Sequence, residues 1–211
     1  RLGLTDAVPS GAGKGNIAVG PGGVLDLYGH ALTINALDNG SSGGGSVDTT
    51  SGTGTTLLTL GAGDASGDFS GNIGNSSGTL ALDKIGTGTQ TLGGANTFGG
   101  PLRLRGGRLR LKAAPALAGG GQISFEGGAL MFSSGNTNDY SSRFSTAAGQ
   151  QYHIDTGGQR VTFATPLTSA GGSLVKRGVG TLALQGAAHT FNGELRIGWG
   201  TLEVTSLGDS G

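Results

Sequence analysis

The segment Lys84-Ile85-Gly86-Thr87-Gly88-Thr89-Gln90-Thr91-Leu92 recurs 92 residues later as Lys176-Arg177-Gly178-Val179-Gly180-Thr181-Leu182-Ala183-Leu184. The match continues as Gly94-Ala95-Asn96-Thr97-Phe98 and Gly186-Ala187-Ala188-His189-Thr190-Phe191, where one inserted residue moves the offset to 93. It ends as Gly106-Gly107-Arg108-Leu109-Arg110-Leu111 and Trp199-Gly200-Thr201-Leu202-Glu203-Val204. A looser pairing links Asn16–Val19 with Gln122–Phe125, Gly22–Leu27 with Gly127–Phe132, and Gly29–Ile34 with Gly158–Phe163. The chain therefore reads as one continuous segment over 1–211, holding two long units at 2–111 and 112–204. Units of this kind bury their apolar rows against their neighbours rather than alone. Arg1-Leu2-Gly3 reads as the tail of an earlier unit and Leu207–Gly211 as the head of a later one. With no initiator Met and no leader at Arg1, the expectation is a piece of a longer array.

Within the units, apolar and polar residues alternate in short bursts such as Leu57-Leu58-Thr59-Leu60, Leu102-Arg103-Leu104, Val161-Thr162-Phe163 and Leu195-Arg196-Ile197. Period two puts one face of a strand inward and the other outward. Each burst is bounded by Gly, Asn, Ser or Asp, residues that accept positive φ or bond their own backbone. Glycine supplies 47 of 211 residues, about 22 %, against an average nearer ~7 %. At about 1 kcal/mol per occurrence that density opposes helix. The best helical stretch, Ala113–Ala118, is short and interrupted by Pro115. The chain is expected to be all-β, a solenoid with roughly three strands per coil. Coils of ~20–25 residues at ~4.8 Å each give about nine coils and a rod on the order of 45 Å long.

Composition narrows the function. Thirteen Lys and Arg balance thirteen Asp and Glu, so a purely electrostatic partner such as bulk nucleic acid is disfavoured. The 35 % apolar residues are too many and too regular for a disordered chain. Glycine lacks the strict period of three of collagen. No apolar run approaches the ~20 residues of a membrane span, so no membrane insertion is expected. The absence of cysteine removes disulfides, thiolate metal sites and cysteine nucleophiles together.

The repeated residues resemble the passenger-associated transport repeat of bacterial autotransporters. That pattern runs Lys-x-Gly-x-Gly-Thr-Leu-x-Leu, then Gly-Ala-Asn-Thr-Tyr/Phe-x-Gly, then Gly-Gly/Thr-Leu-x-Leu. The copy from Lys84 to Leu111 departs at Gln90, where Leu is usual, and the copy from Lys176 to Val204 has Ala188-His189 in place of Asn. The strict motifs cover about a quarter of the chain. The resemblance implies a right-handed, single-stranded parallel β-helix in a secreted or surface-displayed passenger, associated with passage across the outer membrane.

Motifs that suggest chemistry do not survive inspection. Gly11-Ala12-Gly13-Lys14 lacks the first glycine and the Ser/Thr of a phosphate loop. Gly40–Gly44 and Gly74–Gly78 spell Gly-x-Ser-x-Gly, but both lie in Gly/Ser runs with no helix to follow. Gly61–Asp68 is one degenerate copy of a calcium-binding nonapeptide that needs tandem copies. His30, His153 and His189 are far apart and read as surface turn residues. The acidic residues are mostly lone Asp in turns (Asp26, Asp38, Asp48, Asp64, Asp83, Asp139, Asp155), so a carbohydrate-cleaving carboxylate pair is disfavoured. No catalytic residue, cofactor or metal is expected.

The sharpest local feature is basic. Arg103, Arg105, Arg108, Arg110 and Lys112 carry 5 of the 13 positive charges, and alternation with leucines points them outward. They form either a solvated face that discourages aggregation or an anion-facing contact patch for acidic glycan, lipopolysaccharide or a partner subunit. Trp199, between two glycines, is either a lid over the apolar row or an exposed contact aromatic. The same alternatives hold for Tyr28, Tyr140 and Tyr152. The expected function is a non-enzymatic extracellular scaffold or adhesin segment at the bacterial surface. Its partners would be neighbouring repeats, a surface glycan or a host receptor. The alternatives are a self-assembling fibre subunit stacking end to end and, less favoured, a polysaccharide-degrading β-helix enzyme.

Overall fold

The computed structural model describes residues 8–205. The segments expected to belong to neighbouring units, at Arg1–Gly3 and Leu207–Gly211, lie outside them. Twenty short strands pair in parallel throughout, with no α-helix among the described residues. The chain is a β-solenoid of about nine turns. Successive coils range from 19 residues, between Thr89 and its partner Arg108, to 26, between Leu32 and its partner Leu58. Ala114–Leu117, inside the stretch with most helical character, forms a 3-10 turn with Pro115 near its start.

The strands stack into sheets that run along the rod. The longest contains, in spatial order, 67–69, 89–92, 108–111, 129–131, 151–155, 173–177 and 195–197. A second contains 32–34, 55–60, 79–84, 102–104 and 123–125. The remaining sheets are a pair of 17–19 with 37–39 and two three-stranded sheets, 24–26 with 46–48 and 72–73 near one end, and 160–163 with 181–184 and 201–204 near the other. The Ser/Gly/Thr-rich stretch from 40 to 54 is partly built into the coils. Ser46–Asp48 pairs with strands on both sides, while Gly40 and Gly43 close a small bridge.

Alternation translates directly into interior columns. Leu32, Leu58, Leu82, Leu102 and Ile123 stack in register, each essentially inaccessible to solvent. Leu109, Leu130 and Ile154 do the same in the long sheet. Burying a side chain of this size contributes roughly 1.5–3 kcal/mol, so each column is a main source of stability.

The five-stranded sheet ends at Ile123–Phe125, and the three-stranded sheet beginning at Arg160 takes over. Six of the chain's aromatic residues fill this changeover. Phe144 packs edge-on against Phe125 at 4.9 Å and Phe163 at 5.1 Å, and Tyr152 lies 5.4 Å from Phe125. Phe132 joins Phe163 to Tyr140. Bulky rings suit a place where aliphatic columns lose register. Tyr140 and Tyr152 are therefore core residues, with hydroxyls donating to Ala114 O and Ser145 O.

Candidate functional site

Outward residues of the long sheet also form columns. One runs Thr89, Arg108, Ala129, His153, Val175, Arg196, and its neighbour runs Thr91, Arg110, Met131, Asp155, Arg177. Ala129 and Val175 are short enough to be covered by the longer side chains around them. The result is a surface groove of about 270 Å³ lined by Arg108, Asp155, Val175, Arg177, Arg196 and Trp199, with Gly178 and Gly198 at its turn edge. Three guanidinium groups face one carboxylate there, and Arg108 Nε lies 3.8 Å from Asp155 Oδ2. His153 sits in the outward column between Arg108 and Arg196, its Nδ1 donating to Gly127 O at 3.2 Å. Partial burial, reinforced by the Arg177 charge, holds its pKa below the usual imidazole value, and the Gly127 bond offsets part of this. Trp199, on the last described coil, is 69 % exposed.

The basic residues read from the sequence are distributed over two faces. Arg103 and Arg105 follow the five-stranded sheet and meet Asp83 at 3.4 and 3.3 Å, and Arg105 also meets Glu126 at 3.2 Å. Arg108, Arg110 and Lys112 lie on the long sheet, where Lys112 pairs with Asp68 at 2.9 Å. The structure thus brings Arg108 and Trp199 to one groove and leaves Arg103 and Arg105 outside it. Arg177 and Arg196, which complete the groove, come from coils more than sixty residues further along the chain. Only the register of the parallel ladder brings them to Arg108.

The remaining motifs have structural employment. Asp64 Oδ1 accepts from Thr87 N, and Ser76 donates through its N–H and hydroxyl to Asp48. Asp26, Asp48 and Asp139 each accept a backbone N–H from the following coil. Among the described residues no three His, Asp or Glu side chains gather where they could hold a metal ion. Two expectations are corrected. His153 lies within the strand Gln151–Asp155 and is partly buried rather than in a surface turn. His189 is not a surface turn residue but is 8 % exposed, its Nδ1 accepting from Leu167 N at 3.0 Å. A backbone N–H in the preceding coil needed an acceptor, and the imidazole points inward to supply it.

The repeated motif builds the same turn twice. Gly86 and Gly178 adopt φ of +65° and +75°, a conformation that L side chains rarely hold. At Gly88 and Gly180 the backbone passes so close to the previous coil that a Cβ would lie 2.2 Å from Ala65 O or 2.0 Å from Gln159 O. The preceding lysines point inward and are fully buried. Lys84 takes one place in the column Ile34, Leu60, Leu104, Phe125, and its Nζ donates to Ile85 O and Gly106 O. Lys176 lies between Ile154 and Ile197, and its Nζ donates to Arg177 O, Gly178 O and Trp199 O. Burial pushes the Lys84 ammonium down to about 8, with Asp64 opposing, and lowers Lys176 against the opposing charge of Asp155.

The model of the passenger-associated transport repeat matches residues 82–111 and 174–204, the two stretches that build these turns. The chain thus carries two stretches that match this repeat. It is also similar to the adhesin BmaC autotransporter of Brucella suis, with 32 % identity over 152 residues, or 68 % of this chain. The chain spans about 4 % of that relative's length. No solved structure matches. No helix of the described residues is long and apolar enough to cross a membrane.

In the transport repeats, sequence reasoning missed the inward lysines. The signal was parity, since Lys84 follows Leu80 and Leu82 at the inward spacing and Lys176 follows Leu174. It missed Gln90 too. The Gln90 amide reaches past Gly67, its partner in register, to bond both backbone groups of Leu37 at 2.9 Å. A side chain at Gly67 would collide with Leu37 O, 2.3 Å from an ideal Cβ. Gln90 thereby bridges the long sheet to the strand at 37–39, which otherwise meets it through Asp38 and Asn39 side chains.

Proposed function

We propose that this segment is a non-enzymatic part of a surface-displayed passenger, working as a rigid rod whose outward residues make adhesive contacts outside the cell. The observation that carries this reading is a division of labour. Inward positions and the repeat's glycine turns are committed to coil stacking, while the outward columns of the long sheet and the turn at Trp199 leave charged and aromatic groups facing solvent. Transport repeats and similarity to an adhesin autotransporter support the same reading. The contact residues are Arg108, Arg110 and Trp199, joined by Arg177 and Arg196. Arg103, Arg105 and Lys112 serve mainly to neutralise neighbouring carboxylates.

The test is display of the chain on a non-adherent bacterium through a heterologous membrane barrel, with surface exposure verified by antibody. Adhesion to epithelial cells or extracellular matrix is expected to rise above that of the barrel alone. Equal adhesion at verified exposure would refute the proposal.

A further inference from the structure

We propose that the groove on the long sheet is a binding site for an extended acidic polysaccharide, whose carboxylate or sulfate groups meet Arg108, Arg177 and Arg196 and one of whose rings stacks on Trp199. The inference deepens the adhesin reading and rests on it for the ligand's extracellular source.

Three features select this chemistry. First, the cations are spread out. Arg108 and Arg196 occupy one outward column four strand spacings apart, on the order of 19 Å at ~4.8 Å per strand. Their side chains lean along the rod into one groove, as Arg108 does toward Asp155, and cations rooted in successive coils suit a polymer with regularly spaced acidic groups. Guanidinium forks match carboxylate and sulfate oxygens two at a time. Second, the indole of Trp199 is flanked by Gly198 and Gly200, so no neighbouring side chain on its own turn covers the ring. Its apolar face suits the C–H face of a pyranose. Third, Asp155 Oδ2 lies beside the guanidinium groups as an acceptor for hydroxyl groups, which a sugar offers and a phosphodiester backbone of DNA does not. The groove lies on the face of the long sheet and presents side chains rather than the backbone groups a peptide strand would pair with. Val175 is its apolar floor, and the cations stand on successive coils along the rod.

Trp199 is the chain's sole tryptophan and therefore reports on its own groove. Its fluorescence would be titrated with hyaluronan octasaccharide, heparin octasaccharide, maltooctaose and oligothymidylate, with calorimetry as a second readout. A saturable change is expected with at least one of the two acidic saccharides, weakening with salt, and none with maltooctaose. Response to hyaluronan identifies carboxylate recognition, and response to heparin alone identifies sulfate. The double variant R177Q/R196Q is expected to bind about tenfold more weakly or worse, and R103Q, on the other face, to bind as the parent. Circular dichroism would confirm that both variants keep the fold. Absence of saturable binding to either acidic saccharide would overturn the proposal. So would unchanged affinity in R177Q/R196Q, equal binding of maltooctaose, or tighter binding of oligothymidylate. If R177Q/R196Q loses saccharide binding yet adheres as the parent on displayed cells, the groove stands but is not the adhesive contact. If no saccharide binds while displayed cells adhere, the adhesin reading stands and the groove assignment fails.

Discussion

The two transport repeats are built alike but lie on different faces of the rod. The first begins on the five-stranded sheet and continues into the long sheet, while the second begins on the long sheet and continues into the C-terminal three-stranded sheet. The aromatic changeover between Phe125 and Phe163 accounts for the shift of one face. The turn is indifferent to it. Both copies keep the buried lysine, the left-handed glycine and the glycine of close approach. Both also place a polar side chain at the next corner to accept an N–H from the coil before, Asn96 from Ile73 and His189 from Leu167. What is retained is whatever the adjoining coil must have, and which face carries it is secondary.

The sharpest break in the comparison is Gln90 against Leu182. Leu182 fills a column between Val161 and Leu202. Gln90 occupies the matching motif position but serves a strand two coils away. Gln90→Leu is expected to give the largest effect, a loss of about 2–5 kcal/mol, because both Leu37 backbone groups are left buried without partners. Hydrogen exchange should show the Leu37 amide losing protection before the rest of the sheet. Retention of parental protection at Leu37 would mean that water replaces the amide.

The alternating bursts, the all-β class and the stacked coils were legible because period two and glycine-bounded turns are local properties of the chain. Arg110 and Leu109 could be assigned outward and inward from parity alone. The groove was not legible, because its walls come from four coils and depend on register. Neither was His189, since a lone histidine beside Thr190 reads as a turn residue until Leu167 N is seen to need an acceptor. The buried lysines were obscured by their charge, although their parity agreed with the leucines beside them.

A middle-sized effect distinguishes the corner residues. Burial lowers the His189 pKa below the usual imidazole value, and the Gly186 backbone nearby opposes only part of this. As pH falls through ~6.5 the unfolded chain takes up a proton that the folded chain refuses, so stability falls toward the folded pKa. His153 is lowered as well and adds its own share. His189→Asn, which installs the first repeat's solution, is expected to reduce that acid slope while keeping stability at pH 8 within about 1 kcal/mol of the parent. His189→Ala leaves Leu167 N unpaired and should cost about 1–3 kcal/mol even at pH 8. Urea titrations at both pH values check this. An unchanged acid slope in His189→Asn would assign it to His153 alone.

The smallest effect belongs to the outward drift between copies. Where the first repeat has Arg110, the second has Glu203, whose carboxylate is gripped by both terminal nitrogens of Arg160 at 2.7 and 2.6 Å. That grip, more than the bare charge, lowers the Glu203 pKa, and it raises that of Arg160. For a lowered carboxyl the stabilisation is present above the unfolded pKa and lost as pH falls through the folded one. Both side chains are solvent-exposed, however, so water and salt screen the pair and side-chain entropy opposes it. Glu203→Gln is therefore expected to leave the urea midpoint unchanged at about 0.15 M salt and at about 1 M salt alike. A salt-dependent loss comparable to that of His189→Ala would show that this fork holds the last strands together. The outward positions would then be under structural constraint, and their freedom to vary between copies would have to come from compensation between neighbouring coils.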